Sequence, residues 1–247
     1  MEPRRVESIA GQLAESLATE GARAVALVGS FARGDALEGS DLDLAVVGQG
    51  PQYRLEVHDD VLVSLGWASA EEQRRRLYDP AILGLHVPGW REAVPLFDPE
   101  GLAAALQQEA RSWTWGRVED DCDAWAAERL CGYAEEVQKL VTGLHRGEET
   151  AAGVQRSLIA QGLARILAVH RRILYGSENR LWDVVAVEMG ASWRDAQAAA
   201  LGLGGESLAV GCEAALRLFT LAAEELRHLL DDRQHAVVLR ALRRLPA

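Results

Sequence analysis

The chain has 247 residues, of which 49% are hydrophobic and 26% charged, which suits one large or two modest domains with a sizeable core. Its formal net charge of -11 disfavours a nucleic-acid partner, because the phosphates of nucleic acids attract basic surfaces. No apolar run approaches the roughly 20 residues that span a bilayer, and the N-terminal segment lacks the apolar block of a secretory signal. The sequence therefore predicts a cytoplasmic protein with no membrane partner.

The first part of the chain contains strand-like and helical patterns. Apolar residues at helical spacing predict a first helix over residues 4–20. The apolar run AVALVG at 24–29 predicts a buried strand, and the alternating segment DLDLAVV at 41–47 predicts a second strand. The segments YRLEVH and VLVSLGW flank Asp59 and Asp60, so they predict a β-hairpin with a tight turn at the two aspartates.

The remainder of the chain is dominated by helical periodicity. A helix is predicted to begin after Ser69, and residues 92–101 predict a last short strand followed by a turn. The later candidate helices cover 99–115, 118–146, 150–175, 191–203, 205–230 and 232–244. The sequence thus predicts an α+β protein, with a small mixed sheet and helices over residues 1–115 and an all-helical bundle over residues 116–247.

A pair of aspartates opens the second predicted strand. Side chains two residues apart in a strand point to the same face, so Asp41 and Asp43 are expected to lie side by side. Two carboxylates at that separation repel each other unless a cation lies between them. Mg²⁺, a hard cation that prefers oxygen ligands, is the natural partner for such a pair.

A Gly-Ser turn follows the first predicted strand. Gly29 allows the backbone to approach a ligand closely, and the N–H and hydroxyl of Ser30 suit phosphate oxygens. Arg33 adds a guanidinium fork that matches phosphate. Either motif alone is ordinary, since Gly-Ser commonly forms a plain turn and Asp-x-Asp is commonly solvated. Their conjunction, each after a β run, predicts a site for a magnesium-bound nucleotide.

The segment GSFARGDALEGSDLDLAVV resembles the signature of the nucleotidyltransferase superfamily that contains DNA polymerase beta. The shared pattern is Gly-Ser, ten residues, and Asp-x-Asp, and the resemblance is strongest over residues 22–48. Within the superfamily the chain is most similar to the small-molecule branch, which includes aminoglycoside and lincosamide nucleotidyltransferases and the minimal antitoxin-type enzymes. The resemblance implies a nucleotidyltransferase-type mixed sheet followed by a helical bundle.

The resemblance also implies roles for individual residues. The nucleotide-binding residues would be Gly29, Ser30, Arg33 and Ser40. Asp41 and Asp43 would bind two Mg²⁺ ions that accompany the NTP co-substrate. An acceptor hydroxyl would attack the α-phosphorus in line and release pyrophosphate, so that a nucleoside monophosphate, AMP in the first instance, is transferred. The acceptor would be a small molecule, with a cationic, aminoglycoside-like compound as the leading candidate.

One position departs from the family pattern. Active relatives carry a third carboxylate at the centre of the hairpin's second arm, where this chain has Ser64. Glu56, on the first arm, is the predicted substitute and third catalytic carboxylate. A tight turn would place Glu56 opposite Val63 and on the other face from Ser64, whereas a bulge or one-residue shift in register would bring it to the face of Ser64.

The departure leaves several alternatives open. A carboxylate of helix 118–146, namely Asp121, Glu128 or Glu135, could replace Glu56 as the general base. The chain could instead be a degenerate member that binds a nucleotide or a protein partner without turnover, or an antitoxin-type enzyme that modifies a protein. The acceptor, the preferred base and the oligomeric state are not determined by the sequence.

Overall fold

The computed structural model describes residues 3–244, without the side chains of residues 3–5 and 7. The chain forms two compact units, Met1–Arg117 with Gly176–Glu178, and Val118–Tyr175 with Asn179–Ala247. The short segment Gly176–Glu178 has no counterpart in the predicted domain limits of 1–115 and 116–247, which stay a prediction.

A five-stranded mixed sheet forms the centre of the first unit. Its strands are β1 (Ala22–Val28), β2 (Leu42–Gly48), β3 (Tyr53–His58), β4 (Val61–Ala68) and β5 (Val94–Phe97). Their order across the sheet is β3-β4-β2-β1-β5, in which β2 and β4 are parallel and the other pairs antiparallel. The two-residue turn between β3 and β4 has positive φ at Asp59 and Asp60, as the hairpin prediction requires.

Helices cover both faces of this sheet. They are α1 (Pro3–Thr19), α2 (Gly29–Arg33), α3 (Ala70–Arg76), α4 (Leu83–Glu92) and α5 (Leu102–Arg111). The apolar stripe of α1 forms one buried cluster with the sheet, in which Leu13 and Leu17 of α1 join Leu42 and Leu44 of β2. Because Leu42 and Leu44 are buried on this face, the side chain of the residue between them lies on the other face of the sheet.

Small residues occupy the face of β1 that points away from the α1 cluster. Ala24 and Ala26 are fully buried, although neither belongs to that cluster. Helices α4 and α5 contact β1, and α3 contacts β2. Because alanine projects little beyond the backbone, the helices approach the sheet closely, and a second buried layer forms.

Helix α4 was not predicted, because it contains a proline and two glycines that normally interrupt helices. Pro88 lacks the N–H that would bond to the carbonyl of Gly84. In the structure the carbonyl oxygen of Gly84 instead accepts the N–H of Gly176 at 3.4 Å. A chain segment more than eighty residues away in sequence thus provides the donor that the proline lacks.

The second unit is built from helices. They are α6 (Glu119–Arg146), α7 (Glu149–His170), α8 (Glu178–Met189), α9 (Ala191–Leu201), α10 (Leu208–Leu226) and α11 (Asp232–Leu242). Helix α6 packs against α7 and α11, while α10 packs against α7 and α9. Within the described residues, no helix is long and apolar enough to cross a membrane. The predicted α+β class, a mixed sheet followed by a helical region, is confirmed; only α8 in this region was not predicted.

Candidate active site

Asp43 points to the face of the sheet that lies opposite the α1 cluster. Its neighbours Leu42 and Leu44 are buried in that cluster, so the alternation of the strand turns the carboxylate the other way. The register pairs Asp43 with Ser64 of β4, and Ser64 with Leu55 of β3. The hydroxyl of Ser64 donates a hydrogen bond to Oδ1 of Asp43 at 2.5 Å. Ser64 therefore lies where a third carboxylate would meet the acid pair.

The charge of Asp43 is only partly compensated. Burial raises the pKa of Asp43, the hydrogen bond from Ser64 lowers it, the nearby charge of Asp41 raises it, and Arg33 lowers it. The net direction is upward, which means that the ionised form is destabilised. Asp41, directly before β2, is close enough to repel Asp43. A cation bound between the two carboxylates would remove this penalty.

The donor set fits a magnesium ion that arrives with a substrate. Proteins usually hold Mg²⁺ through one or two carboxylates, with phosphates and water completing the coordination. Asp41 and Asp43 supply that number of carboxylates. No cluster of three or more His, Cys, Asp or Glu side chains suited to a metal exists among the described residues. When bound, the ion would stabilise charge on phosphate oxygens. The second predicted ion stays a prediction.

Gly29 forms one wall against the carboxylate of Asp43. Its φ is +70°, in the left-handed region, and an added Cβ would collide with Oδ2 of Asp43 and lie 3.0 Å from its Cγ. Only a residue without a side chain both adopts this backbone conformation easily and leaves the carboxylate in place.

We expect Gly29→Ala to lose both stability and nucleotide affinity. The left-handed conformation costs about 1–2 kcal/mol for alanine, and the new methyl group must displace the Asp43 carboxylate. Gly34→Ala is the matched control, because Gly34 has a φ of +78° and an added Cβ there meets nothing within 4 Å. Both variants should melt several degrees lower, but only Gly29→Ala should lose the predicted magnesium-dependent binding of ATP, as measured by calorimetry. Equal ATP affinity in the two variants would contradict this account.

Ser30 and Arg33 lie in α2, next to the acid pair. The carbonyl oxygen of Ser30 accepts the N–H of Asp35 at 3.1 Å, which closes the turn after the helix. Arg33 donates from Nε to Asp35 at 3.1 Å and from Nη1 to the carbonyl oxygen of Gly176 at 2.9 Å. The guanidinium of Arg33 is therefore partly engaged in holding the segment 176–178, while its charge still reaches Asp43.

Ser40 lies in a turn before the acid pair. Its Oγ accepts the backbone N–H of Leu37 at 2.9 Å, and its own N–H donates to the carbonyl oxygen of Leu37 at 3.0 Å. The structure thus uses the Ser40 side chain to close the turn that delivers Asp41 to β2. Its predicted contact with a nucleotide stays a prediction.

The structure separates Glu56 from the acid pair. The hairpin register is regular, with Glu56 opposite Val63 and Leu55 opposite Ser64, so Glu56 points to the other face from Asp43. Its carboxylate pairs with Arg54 at 2.5 Å and with His58 at 2.8 Å, both on its own side of β3. The prediction that Glu56 supplies the third catalytic carboxylate is therefore wrong, because no bulge shifts the register.

A cavity of about 280 Å³ opens beside Asp43. It lies within the first unit, between the sheet and helices α3 and α4. Its lining includes Asp43, Ser64, Gly66, Gln73, His86 and Trp90. Only the first two of these carry a signal for the site in the sequence. The other four residues lie in strand and helix interiors, where the sequence shows no motif. The glycines of α4 are the one local feature that marks open space there.

His86 is neutral in the folded protein. Burial lowers its pKa to about 4, although the backbone carbonyl of Gln73 partly opposes this shift. Nε2 of His86 lies 3.1 Å from that carbonyl oxygen, so the ring donates its N–H there and keeps an acceptor at Nδ1.

We expect stability to fall as the pH decreases from about 6.5 towards 4. The unfolded chain takes up a proton at His86 in this range while the folded protein does not, which corresponds to about 3 kcal/mol lost by pH 4. Burial lowers the pKa of His170 as well, so it adds to the same loss. Urea unfolding of His86→Gln should show a flatter pH profile, whereas His145→Gln, an exposed control, should follow the parent profile. A His86→Gln profile as steep as the parent's would contradict the buried, neutral ring.

The sequence and the fold of the chain are similar to those of known nucleotidyltransferase-type proteins. The family model for a nucleotidyltransferase domain matches residues 11–87, which contain β1 to β4 and the acid pair. A crystal structure of a nucleotidyltransferase-like protein from Exiguobacterium sibiricum 255-15 is similar with a TM-score of 0.50 and 16% identity, over 93% of this chain and 78% of that chain. No curated protein matches the sequence. At this identity the structural likeness shows the fold.

The family match indicates the class of domain that the first unit contains. Residues 11–87 match a nucleotidyltransferase domain, which supports the predicted superfamily. The predicted similarity to the aminoglycoside and lincosamide branch stays a prediction.

Proposed function

We propose that the protein transfers a nucleoside monophosphate, AMP in the first instance, from a magnesium-bound NTP to a hydroxyl group of a small molecule. The observation that carries the proposal is the arrangement around Asp43. An incompletely compensated carboxylate lies beside Asp41 and against Gly29, in a domain that matches nucleotidyltransferases. Such a site gains most from a ligand that brings both a cation and phosphates.

In the proposed reaction the residues of the chain bind and position the nucleotide. Asp41 and Asp43 would hold the magnesium ion that accompanies the triphosphate, and Gly29 leaves the Asp43 carboxylate in place for it. In-line attack forms the bond from the acceptor oxygen to the α-phosphorus and breaks the bond to pyrophosphate, while the acceptor proton passes to a base.

A cationic acceptor is the first class to test. The net charge of -11 favours the approach of a cation, and it disfavours a polymer of phosphates. Aminoglycosides combine several hydroxyl groups with several positive charges, so they form a suitable first panel, with lincosamides as a second panel.

A second candidate function follows from Ser64. Because a hydroxyl stands beside Asp43 in place of a third carboxylate, the site could bind a magnesium nucleotide without turning it over. In that case the protein would act as a nucleotide-dependent binding partner.

Pyrophosphate release tests both candidates. The 247-residue chain is incubated with Mg²⁺, each of the four NTPs, and either the small-molecule panels or a protein mixture, and the acceptor is analysed by mass spectrometry. We expect release only with a matching acceptor, and none from Asp41→Asn. Thermal stabilisation by magnesium ATP without any release would favour the second candidate. The proposal is overturned if the protein neither releases pyrophosphate nor is stabilised by magnesium ATP.

A further inference from the structure

The cavity beside Asp43 is left open by residues that have no side chain. Gly66 of β4 and Gly89 of α4 both line it, and an added Cβ at either position would meet no atom within 4 Å. Protein interiors are usually filled at such sheet–helix contacts. A residue of the sheet and a residue of the helix therefore both leave this cavity unfilled.

Aromatic rings form the helix side of this cavity. Trp90 is only 2% exposed, and its ring lies edge-on to that of His86, with 6.5 Å between centroids and 72° between planes. Both rings lie on α4, one helical turn apart. Aromatic walls of this kind favour a flat ligand with apolar faces.

One polar group in the lining lacks a partner. Gln73 is 2% exposed, and its Oε1 has no hydrogen-bond partner among the described residues. A buried acceptor without a donor destabilises the folded protein, so the cavity would gain from a ligand N–H. His86, whose Nε2–H is already donated, supplies a second acceptor rather than a positive charge.

The charges near the cavity favour an uncharged ligand. Arg76 of α3 lines the cavity and pairs with Glu72 at 3.0 Å. Arg33 pairs with Asp35. An anionic group would find no free cation in these two arginines, and the one carboxylate in the lining, that of Asp43, is assigned to the proposed magnesium ion.

We propose that the cavity binds the ring of an uncharged nitrogen heterocycle, which packs against Trp90 and His86 and donates an N–H to Oε1 of Gln73. The ring could belong to the base of the nucleotide or to the acceptor, because both meet at Asp43. The inference rests on the proposed function for its place beside the reacting phosphate, but binding of the ring requires no turnover.

The test compares ring binding with phosphate binding in the full chain. Calorimetry is performed with the four ribonucleosides, with 2-pyridone and indazole as fragments, with ATP, and with magnesium tripolyphosphate. Gly66→Val fills the cavity and should weaken ring binding tenfold or more. Gln73→Leu removes the acceptor and should weaken it roughly three- to tenfold. Neither variant should change the affinity for magnesium tripolyphosphate.

Melting temperatures show whether the variants fold. Gly66→Val should not melt lower, since glycine weakens a strand. Gln73→Leu should not melt lower either, because the amide oxygen it removes has no partner. Gln197→Leu is the contrasting control, since the amide of Gln197 is bonded to Trp193 and Trp182 and its loss should lower the melting temperature. Gly132→Ala, in an open position on α6, should leave all affinities unchanged.

The outcomes distinguish the two sources of the ring. If nucleosides compete with ATP, and Gly66→Val weakens ATP but not tripolyphosphate, the ring is the nucleotide base. If a nucleoside or fragment binds together with ATP, and the variant leaves ATP affinity unchanged, the ring belongs to the acceptor. The inference is overturned if no probe binds, or if both variants bind the probes as the parent does. Failure of the proposed function would appear separately. In that case Asp43→Asn would bind magnesium tripolyphosphate as tightly as the parent does.

Discussion

Asp43→Asn should abolish the proposed nucleotidyl transfer and at the same time stabilise the ligand-free protein at pH 7. The amide keeps the shape of the carboxylate and can still accept the hydrogen bond of Ser64, but it cannot hold a magnesium nucleotide. Loss of such an electrostatic group typically costs about 10²–10³-fold in rate or more. Pyrophosphate release with a matching acceptor measures the first effect.

The gain in stability has a defined pH dependence. The pKa of Asp43 is raised in the folded protein, so its ionised form opposes folding above that pKa. The advantage of asparagine should therefore be present at pH 7, decrease as the pH falls through the raised pKa, and vanish below the unfolded value of about 3.9. We expect a gain of about 0.5–2 kcal/mol, the range that is usual for a stabilising substitution.

Asp60→Asn provides the matched control for this variant. Asp60 lies in the hairpin turn with a φ of 63°, where asparagine is well tolerated, so the same chemical change should leave activity and pH dependence unaltered. An Asp43→Asn protein that melts lower than the parent at pH 7, or retains full activity, would contradict the electrostatic account of the site.

Ser64→Asp should convert a two-carboxylate site into a three-carboxylate site. The Ser64 hydroxyl is 2.5 Å from Oδ1 of Asp43, so a carboxylate at this position lies within reach of the same ion. We expect Mg²⁺ affinity to rise about tenfold or more, since the number of ligand charges tunes carboxylate sites over orders of magnitude. Without metal, the added repulsion should lower stability by about 1–2 kcal/mol.

Ser64→Ala separates the effect of the new charge from the loss of the hydroxyl. This variant removes a hydrogen bond that lowers the pKa of Asp43, but it adds no ligand, so its Mg²⁺ affinity should not increase. Titration with Mn²⁺, followed by electron paramagnetic resonance, measures the affinity of all three proteins. If Ser64→Asp binds no tighter than Ser64→Ala, another carboxylate already completes the site.

The elements of the first unit could largely be predicted, because their signals are local. Apolar spacing identified α1, alternation identified β2, and the pair Asp59-Asp60 identified the hairpin turn. The side-by-side arrangement of Asp41 and Asp43 was expected from the two-residue repeat of a strand. Each of these features depends on neighbours within a few residues, where backbone conformation and side-chain direction are determined together.

The sequence by itself therefore determined the fold class, the acid pair and the glycine beside it. Only the tertiary structure decided that Ser64 bonds to Asp43, that Arg33 is tied to Gly176, which is 143 residues away, and that Glu56 faces elsewhere. It also revealed α4, whose proline is tolerated because a distant N–H replaces its missing donor, and the cavity that α4 forms with Gly66. These contacts join residues far apart in the chain, and local patterns carry no record of which distant groups will meet.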